Sequence, residues 1–401
     1  MKNVAIINTC NWGSTGKIAL SLHSNLRERG YNVHFYYGRG EKCEDPSQHR
    51  IDTKFEIFLH VMMAGLTGLQ GSFSRLATAR LLSSLKKNQI DTIYIVSIQG
   101  YFIHEKGLFD YVAKHNIRLV YTMIDAYSYS GACCTDPECD KVKTGKGKCP
   151  DIKKYPKSFF IDNCSKVLKR KIDGYTKMRN AVFVGPEYLV KCSQHSILGK
   201  YMKTIVLDEA IDLQLYQPYD ASELKAKHKI DDKKIIILSV APTSNPTRGA
   251  RYFIEAARTF SNDDRFVFIH IGNRLDSIDN PSNFIAIPFV EKDIDLAKYY
   301  SMADVLINPS ITDAMSNTCL ESLACGTPIV CFNMSGMPYL MDDTVGKLLP
   351  PRDVNAIVDT IERTKKKDKE VINTCRNYAL KRYDNRSYAE KLIQIAKGDF
   401  N

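Results

Sequence analysis

The chain has 401 residues, 44% hydrophobic, 25% charged and 10% aromatic, with a formal net charge of +11. At roughly 100–200 residues per domain this length implies two or three domains, and the apolar share suits packed cores while excluding disordered, collagenous and coiled-coil chains. Residues 57–69 come nearest to an apolar span but contain His60 and two glycines, so no transmembrane helix of about 18 residues is expected.

Met-Lys-Asn runs straight into the apolar stretch 4–8, a strand pattern with no secretory leader before it. Further strands are expected at 33–37, 92–96, 119–123 and 181–185, and then at 204–207, 235–240, 266–271, 284–287, 305–308 and 329–332. Many are unbroken apolar runs, such as Ile235-Ile236-Ile237-Leu238, the pattern of parallel strands buried on both faces. Helical spacing fills the gaps. Ile18, Leu22 and Leu26 share a face, with Ser14 or Thr15 as the expected N-cap and Gly30 past the end. Residues 55–87 read as helical, their apolar positions mixed with His60, Arg75, Arg80, Lys86 and Lys87. Such a face either packs into a core or rests on an anionic membrane.

Alternating strands and helices in two series mean two doubly wound α/β sheets. The expected domains are 1–195 and 196–384, Rossmann-like and facing across a cleft, with the helix at about 385–401 crossing back onto the first. Residues 1–200 carry 30 Lys+Arg against 17 Asp+Glu, whereas 201–401 carry 26 against 28. The basic excess of the first half fits either an anionic partner or a lysine-rich solvated surface. No motif points to nucleic acid. Twelve cysteines are too sparse for a disulfide scaffold and normal for reduced thiols, which points to a cytoplasmic protein.

The first strand opens into Gly13-Ser14-Thr15-Gly16-Lys17 before a helix. Glycines at a strand-to-helix turn let backbone amides approach an anion, although neither the P-loop nor the dinucleotide fingerprint is matched. The stretch from Asn308 to Pro328 says most. A buried strand leads to a polar loop, a helix and then Gly326-Thr327-Pro328, with Asp313 eight residues before Glu321. Amides near Ser316–Thr318 would lie at a helix N-terminus suited to phosphate or sugar hydroxyls, and a carboxylate further in can accept from a ribose diol.

This stretch, ending Ala324-Cys325-Gly326-Thr327-Pro328, resembles the acid-x7-Glu signature of retaining GT-B glycosyltransferases of family 4. Gly13–Lys17, Tyr37-Gly38-Arg39-Gly40, Gly100-Tyr101, the cysteine-bearing segment through Lys154-Tyr155-Pro156-Lys157-Ser158, and Ile211-Asp212 are similar to the bacterial capsule and exopolysaccharide branch. The resemblance implies sugar transfer, without a required cofactor or metal, from a UDP- or GDP-sugar held by the second domain. The implied acceptor is a lipid-linked oligosaccharide on the first domain, at the inner face of the plasma membrane. Glu321 would then hold the ribose and Asp313 the donor sugar. Met315, Ser316, Asn317 and Thr318 would contact sugar and diphosphate through their backbone, and Arg248 would neutralise the leaving diphosphate. Phe289 and Val290 would read the nucleobase edge, Gly13, Ser14, Thr15 and Gly16 would close on the phosphates, and Asp125 would serve beside them in catalysis.

The chain departs from that pattern in places. Ile124 precedes Asp125 where the family has histidine, Gln99 stands where this branch has histidine, and Thr243 and Ser244 occupy the turn of the usual second cation. Glu209-Ala210 replaces Asn-Gly, and Tyr339 replaces a usual acid. The alternative function is therefore a weak or inactive GT-B protein that binds a sugar nucleotide or scaffolds a polysaccharide-synthesis complex. Cys133, Cys134, Cys139 and Cys149 fall within seventeen residues, among Asp136, Glu138 and Asp140. They read either as free thiols or as a structural zinc set, although paired Cys-x2-Cys spacing is missing.

Overall fold

In the computed structural model, which describes residues 2–134, 139–149, 152–272 and 282–399, the strands build two all-parallel sheets. The first contains β1 (Asn3–Cys10), β2 (Asn32–Arg39), β3 (Gln48–Arg50), β4 (Thr92–Ile95), β5 (Arg118–Thr122), β6 (Ala181–Gly185) and β7 (Thr204–Val206). The second contains β8 (Ile235–Val240), β9 (Phe266–Ile271), β10 (Phe284–Ile287), β11 (Val305–Asn308), β12 (Ile329–Phe332) and β13 (Gly346–Leu349). Their orders are β3-β2-β1-β4-β5-β6-β7 and β10-β9-β8-β11-β12-β13. Each sheet therefore reverses its winding beside its first strand, between β1 and β4 and between β8 and β11. In open α/β sheets ligands bind beyond the carboxyl ends of strands at that reversal. The loops there are the ones carrying Gly13, Arg248 and Asp313.

Register explains the apolar runs. Ile6 lies beside Phe35 and Tyr94, and Ile237 lies beside Phe268 and Val305. Successive residues of β8 feed opposite cores: Ile236 and Leu238 join one cluster with Leu320 and Tyr300, while Ile237 joins another with Phe253 and Phe268. Both faces are dry, so alternation vanishes.

The chain divides into two units, Met1–Asp208 with Arg386–Asn401, and Glu209–Asn385. The break follows residue 208 rather than 195 because β7 pairs with β6 and extends the first sheet. The helix Asn385–Lys397 belongs largely to the first unit. Glu390 pairs with Arg29 at 2.8 Å, and Arg118 donates to the Ile395 carbonyl at 2.5 Å.

Other sequence expectations are corrected. The first helix starts at Gly13 with Trp12 as N-cap and no side-chain cap, so Ser14 and Thr15 sit inside its first turn. Residues 55–87 are two helices, Lys54–Thr67 and Arg75–Lys87. Gly68 ends the first with φ 66°, a left-handed value that glycine adopts without strain. The edge strands β3 and β13 carry no β-branched run and had no sequence signal.

Candidate functional site

In the second unit, β8 and β11 end side by side and send out the loops 241–249 and 309–316. Loop 241–249 turns through a short 3-10 helix, Pro246–Arg248, capped by the Asn245 side chain accepting from Thr247 N. Gly249 then takes φ 74°, and a Cβ there would collide with the Pro309 carbonyl. The close approach brings Ile311 N to the Thr247 carbonyl at 2.9 Å. It also brings the Arg248 guanidinium onto Asp313, with Nη1 against Oδ2. Arg248 stays 40% exposed while Asp313 is mostly covered. Burial pushes the Asp313 carboxyl above the usual aspartate range, against the pull of Arg248 and of hydrogen bonds from Ala314 N and Ser316.

Asn308, at the end of β11, organises the loop from beneath. Its Nδ2 lies 2.7 Å from Ser316 Oγ, 3.1 Å from Cys319 Sγ and 3.3 Å from Thr318 Oγ1, while its Oδ1 accepts from Ser310 N at 3.2 Å. The helix Asn317–Ala324 begins with Cys319 N and Leu320 N bonding to the Ser316 carbonyl. The amides of Ser316, Asn317 and Thr318 therefore form its N-terminal end, the positive end of the helix dipole. Met315 turns inward, its sulfur accepting from Glu209 N at 3.3 Å. Glu321 lies a turn into the helix, nearly buried, and takes the Tyr300 hydroxyl on Oε2 at 2.8 Å. Arg248, Asp313 and Ser316–Thr318 thus share one rim, with Glu321 one turn further into the helix. Phe289 and Val290 instead line a groove of about 470 Å³ with Leu224 and Tyr299, which no residue of 309–321 joins. Phe289 is 75% exposed.

In the first unit, Gly13 to Gly16 form the first turn of the helix after β1. Gly13 has φ 70°, and a Cβ on Gly16 would stand 2.8 Å from the Asn11 carbonyl carbon. Asn8, fully buried in β1, holds the turn by donating to the Cys10 carbonyl at 2.6 Å. Asp125 follows β5 and caps the 3-10 helix Ala126–Tyr129 by accepting from Tyr127 N at 2.9 Å. Gln99 Nε2 donates to its other oxygen at 2.6 Å. Gln99 is therefore in direct contact with the aspartate. Burial raises the Asp125 carboxyl to about 6, even with those donors and the Cys134 thiol opposing the shift.

Sequence reasoning missed what supports Asp125. Glu105, fully buried, pairs with Arg170 at 2.6 Å and accepts from Tyr127 Oη at 2.5 Å. Lys171, also buried, bonds the Tyr127 and Ser130 carbonyls, with its ammonium 3.7 Å above the Tyr127 ring. Burial lowers its pKa to about 8. Arg170 and Lys171 stand in a run of cations with Lys166 and Lys169, and such a run gives no sign of which ones find a buried carboxylate. Cys134 bonds Asp125 while Cys149 bonds Cys164, so the cysteine segment is split between partners. Asp136 and Glu138 lie outside the described residues, among which no three His, Cys, Asp or Glu side chains converge as a metal site.

The family described as Glycosyl transferases group 1 matches residues 220–382. An uncharacterized 41.2 kDa protein in the cps region of Klebsiella pneumoniae is 20% identical over 79% of this chain and 81% of its own length. The putative colanic acid biosynthesis glycosyl transferase WcaC of Escherichia coli K12 is 22% identical over 54% of this chain and 57% of its own. The structure of Anabaena Alr3699/HepE in complex with UDP and glucose superposes with a TM-score of 0.68 at 13% identity, covering 99% of this chain and 100% of that one.

Proposed function

With residues 220–382 belonging to the group 1 glycosyltransferases, in a chain of GT-B fold, we propose that this protein moves a sugar from a UDP- or GDP-sugar to a growing bacterial surface polysaccharide. The acceptor is lipid-linked and met at the cytoplasmic face of an anionic membrane, and the anomeric configuration is retained. The observation that carries this reading is the shared rim of Arg248, Asp313 and Ser316–Thr318 around a helix N-terminus, with Glu321 behind it. A departing nucleoside diphosphate develops charge on its bridging oxygen. A fixed guanidinium and helix amides stabilise that charge without calling on a metal. Retention by front-face substitution needs no enzyme nucleophile. Arg248 meets the diphosphate, Asp313 the sugar hydroxyls and Glu321 the ribose. Phe289 and Val290 meet the base, and Asp125 serves in catalysis.

Titration of the purified chain with UDP, GDP and their sugar conjugates, with and without EDTA, tests the donor site. Saturable binding to one series, unchanged by EDTA, is expected. In the same titration Glu321→Ala should weaken nucleotide binding by about tenfold, the loss of one or two hydrogen bonds to a carboxylate. Unchanged affinity would remove Glu321 from the ribose. The weak or inactive reading is favoured by Thr243 and Ser244 where a second cation usually stands, and binding without any turnover would establish it.

Asp125 gives the reaction a pH limb. Its carboxyl is raised to about 6, so the ionised form dominates above that pH and is lost below it. Turnover should fall about tenfold per unit on the acid side of pH 6 and level off above it. Asp125→Asn should lower the plateau and remove the limb. A limb that persists in that variant would assign it to another group.

A further inference from the structure

The helix Lys54–Thr67 is amphipathic the wrong way round. Phe55, Phe58, Leu59, Met62, Met63 and Leu66 are all exposed, Phe55 by 68%. At 100° per residue these positions share one outward face. The inward face is made of His60, Ala64 and Gly65. His60 is packed edge-on against Phe73 and Tyr101, its Nδ1 2.8 Å from Ser74 Oγ. The small and polar residues thus face the protein, and the large apolar ones face outward.

A second segment extends the surface. Phe159, Phe160 and Ile161 are also exposed, Phe160 by 78%. Phe159 N bonds the Gly65 carbonyl at 2.7 Å, and Asn163 Nδ2 bonds the Thr67 carbonyl at 2.7 Å. A Cβ on Gly65 would stand 2.5 Å from the Phe159 ring, so glycine there lets the aromatic segment lie against the helix. Lys153, Lys154 and Lys157, all exposed, flank it, and residues 152–161 contain no acid. The helix has one acid, Glu56, which is held by Arg80 at 2.5 Å and by its own capping box.

We propose that this face, the outward side of helix Lys54–Thr67 together with Phe159–Ile161, seats the first unit in the headgroup and upper acyl region of an anionic lipid bilayer. It rests on the proposed reading, in which the acceptor is carried in a membrane, and supplies the surface that reading needs. Charge complementarity selects the occupant. An apolar plate beside lysines, in a half of the chain with 30 Lys+Arg against 17 Asp+Glu, matches acyl chains beneath anionic headgroups. A second copy docked through the same face around a two-fold axis would set that lysine-bearing edge against its own equivalent.

The test is co-sedimentation of the whole chain with vesicles of phosphatidylcholine alone or mixed with phosphatidylglycerol, beside nucleotide titration and solution mass. The wild-type chain should partition onto the mixed vesicles, more weakly as salt rises, and poorly onto phosphatidylcholine. Phe58→Gln with Phe160→Gln should lower that partition about tenfold or more, and Lys154→Gln with Lys157→Gln should remove most of the preference for phosphatidylglycerol. Both variants change exposed side chains and should keep wild-type nucleotide binding, which also reports that they fold. Failure of the wild-type chain to partition while it binds nucleotide would overturn the proposal. So would unchanged partition of the Phe58/Phe160 variant, or a wild-type dimer that this variant dissolves. Vesicle binding without nucleotide binding would support the surface and remove the donor reading instead.

Discussion

Replacing Arg248 by alanine is expected to lower sugar transfer by about 10²–10³, the usual consequence of deleting one preorganised group that meets developing negative charge. The effect should be large because this rim has a single guanidinium on its loop, where Thr243 and Ser244 supply no second cation. Arg248 holds Asp313. On the proposed reading a diphosphate would compete for the same guanidinium, approaching the exposed side of Arg248. Removing the arginine has a second consequence. The Asp313 carboxyl, already raised by burial, loses the counter-charge that opposes that shift, so it is protonated over a wider pH range. Arg248→Lys keeps the charge but loses the planar fork, and should recover part of the rate. Steady-state kinetics with the donor identified by titration decides the matter. The loss should appear mainly in kcat, and a change under threefold in Arg248→Ala would exclude Arg248 from the leaving group.

Glu105→Gln is expected to be the most destabilising single change of a side chain distant from the rim, by about 3–5 kcal/mol, the cost of breaking a buried ion pair from one side. Glu105 is fully buried between the Arg170 guanidinium, at 2.6 Å, and the Tyr127 hydroxyl. Arg170 also reaches the Gln70 carbonyl and Ser72, so it remains anchored when the carboxylate is neutralised and its charge stays buried. Lys171 is affected too, since Glu105 is the main group that supports its charge against burial. The loss should appear as a lowered thermal midpoint and as early proteolysis in the first unit. Because Tyr127 and Lys171 hold the 3-10 helix Ala126–Tyr129 that Asp125 caps, the acid limb of turnover should shift in the surviving fraction. Arg170→Met with Glu105→Leu, which removes both charges, should regain much of the stability. A double variant as unstable as Glu105→Gln would mean that packing, not charge, sets the cost.

Much of the protein is legible from local pattern. Parallel strands buried on both faces are unbroken apolar runs, so β8 and β9 are delimited residue for residue, and alternation with helices gives the fold class. The edge strands β3, Gln48–Arg50, and β13, Gly346–Leu349, lack that signal because only one neighbour and part of one face constrain them. The stretch from Asn308 to Pro328 is readable for a related reason. Strand, loop and helix N-terminus follow one another directly, so the spacing of Asp313 and Glu321 survives in one dimension.

Local pattern thus gives two parallel α/β sheets, the segment 308–321 that supplies the rim apart from Arg248, and the basic excess of the first half. Tertiary structure alone decided what pairs with what: Arg248 with Asp313, Gln99 with Asp125, and Glu105 with Arg170, contacts that span 65, 26 and 65 residues. It also decided which way the helix Lys54–Thr67 faces. An apolar stripe has the same period whether it meets a core or looks outward. Only the packing of His60, Ala64 and Gly65 beneath it shows that the large side chains were left outside.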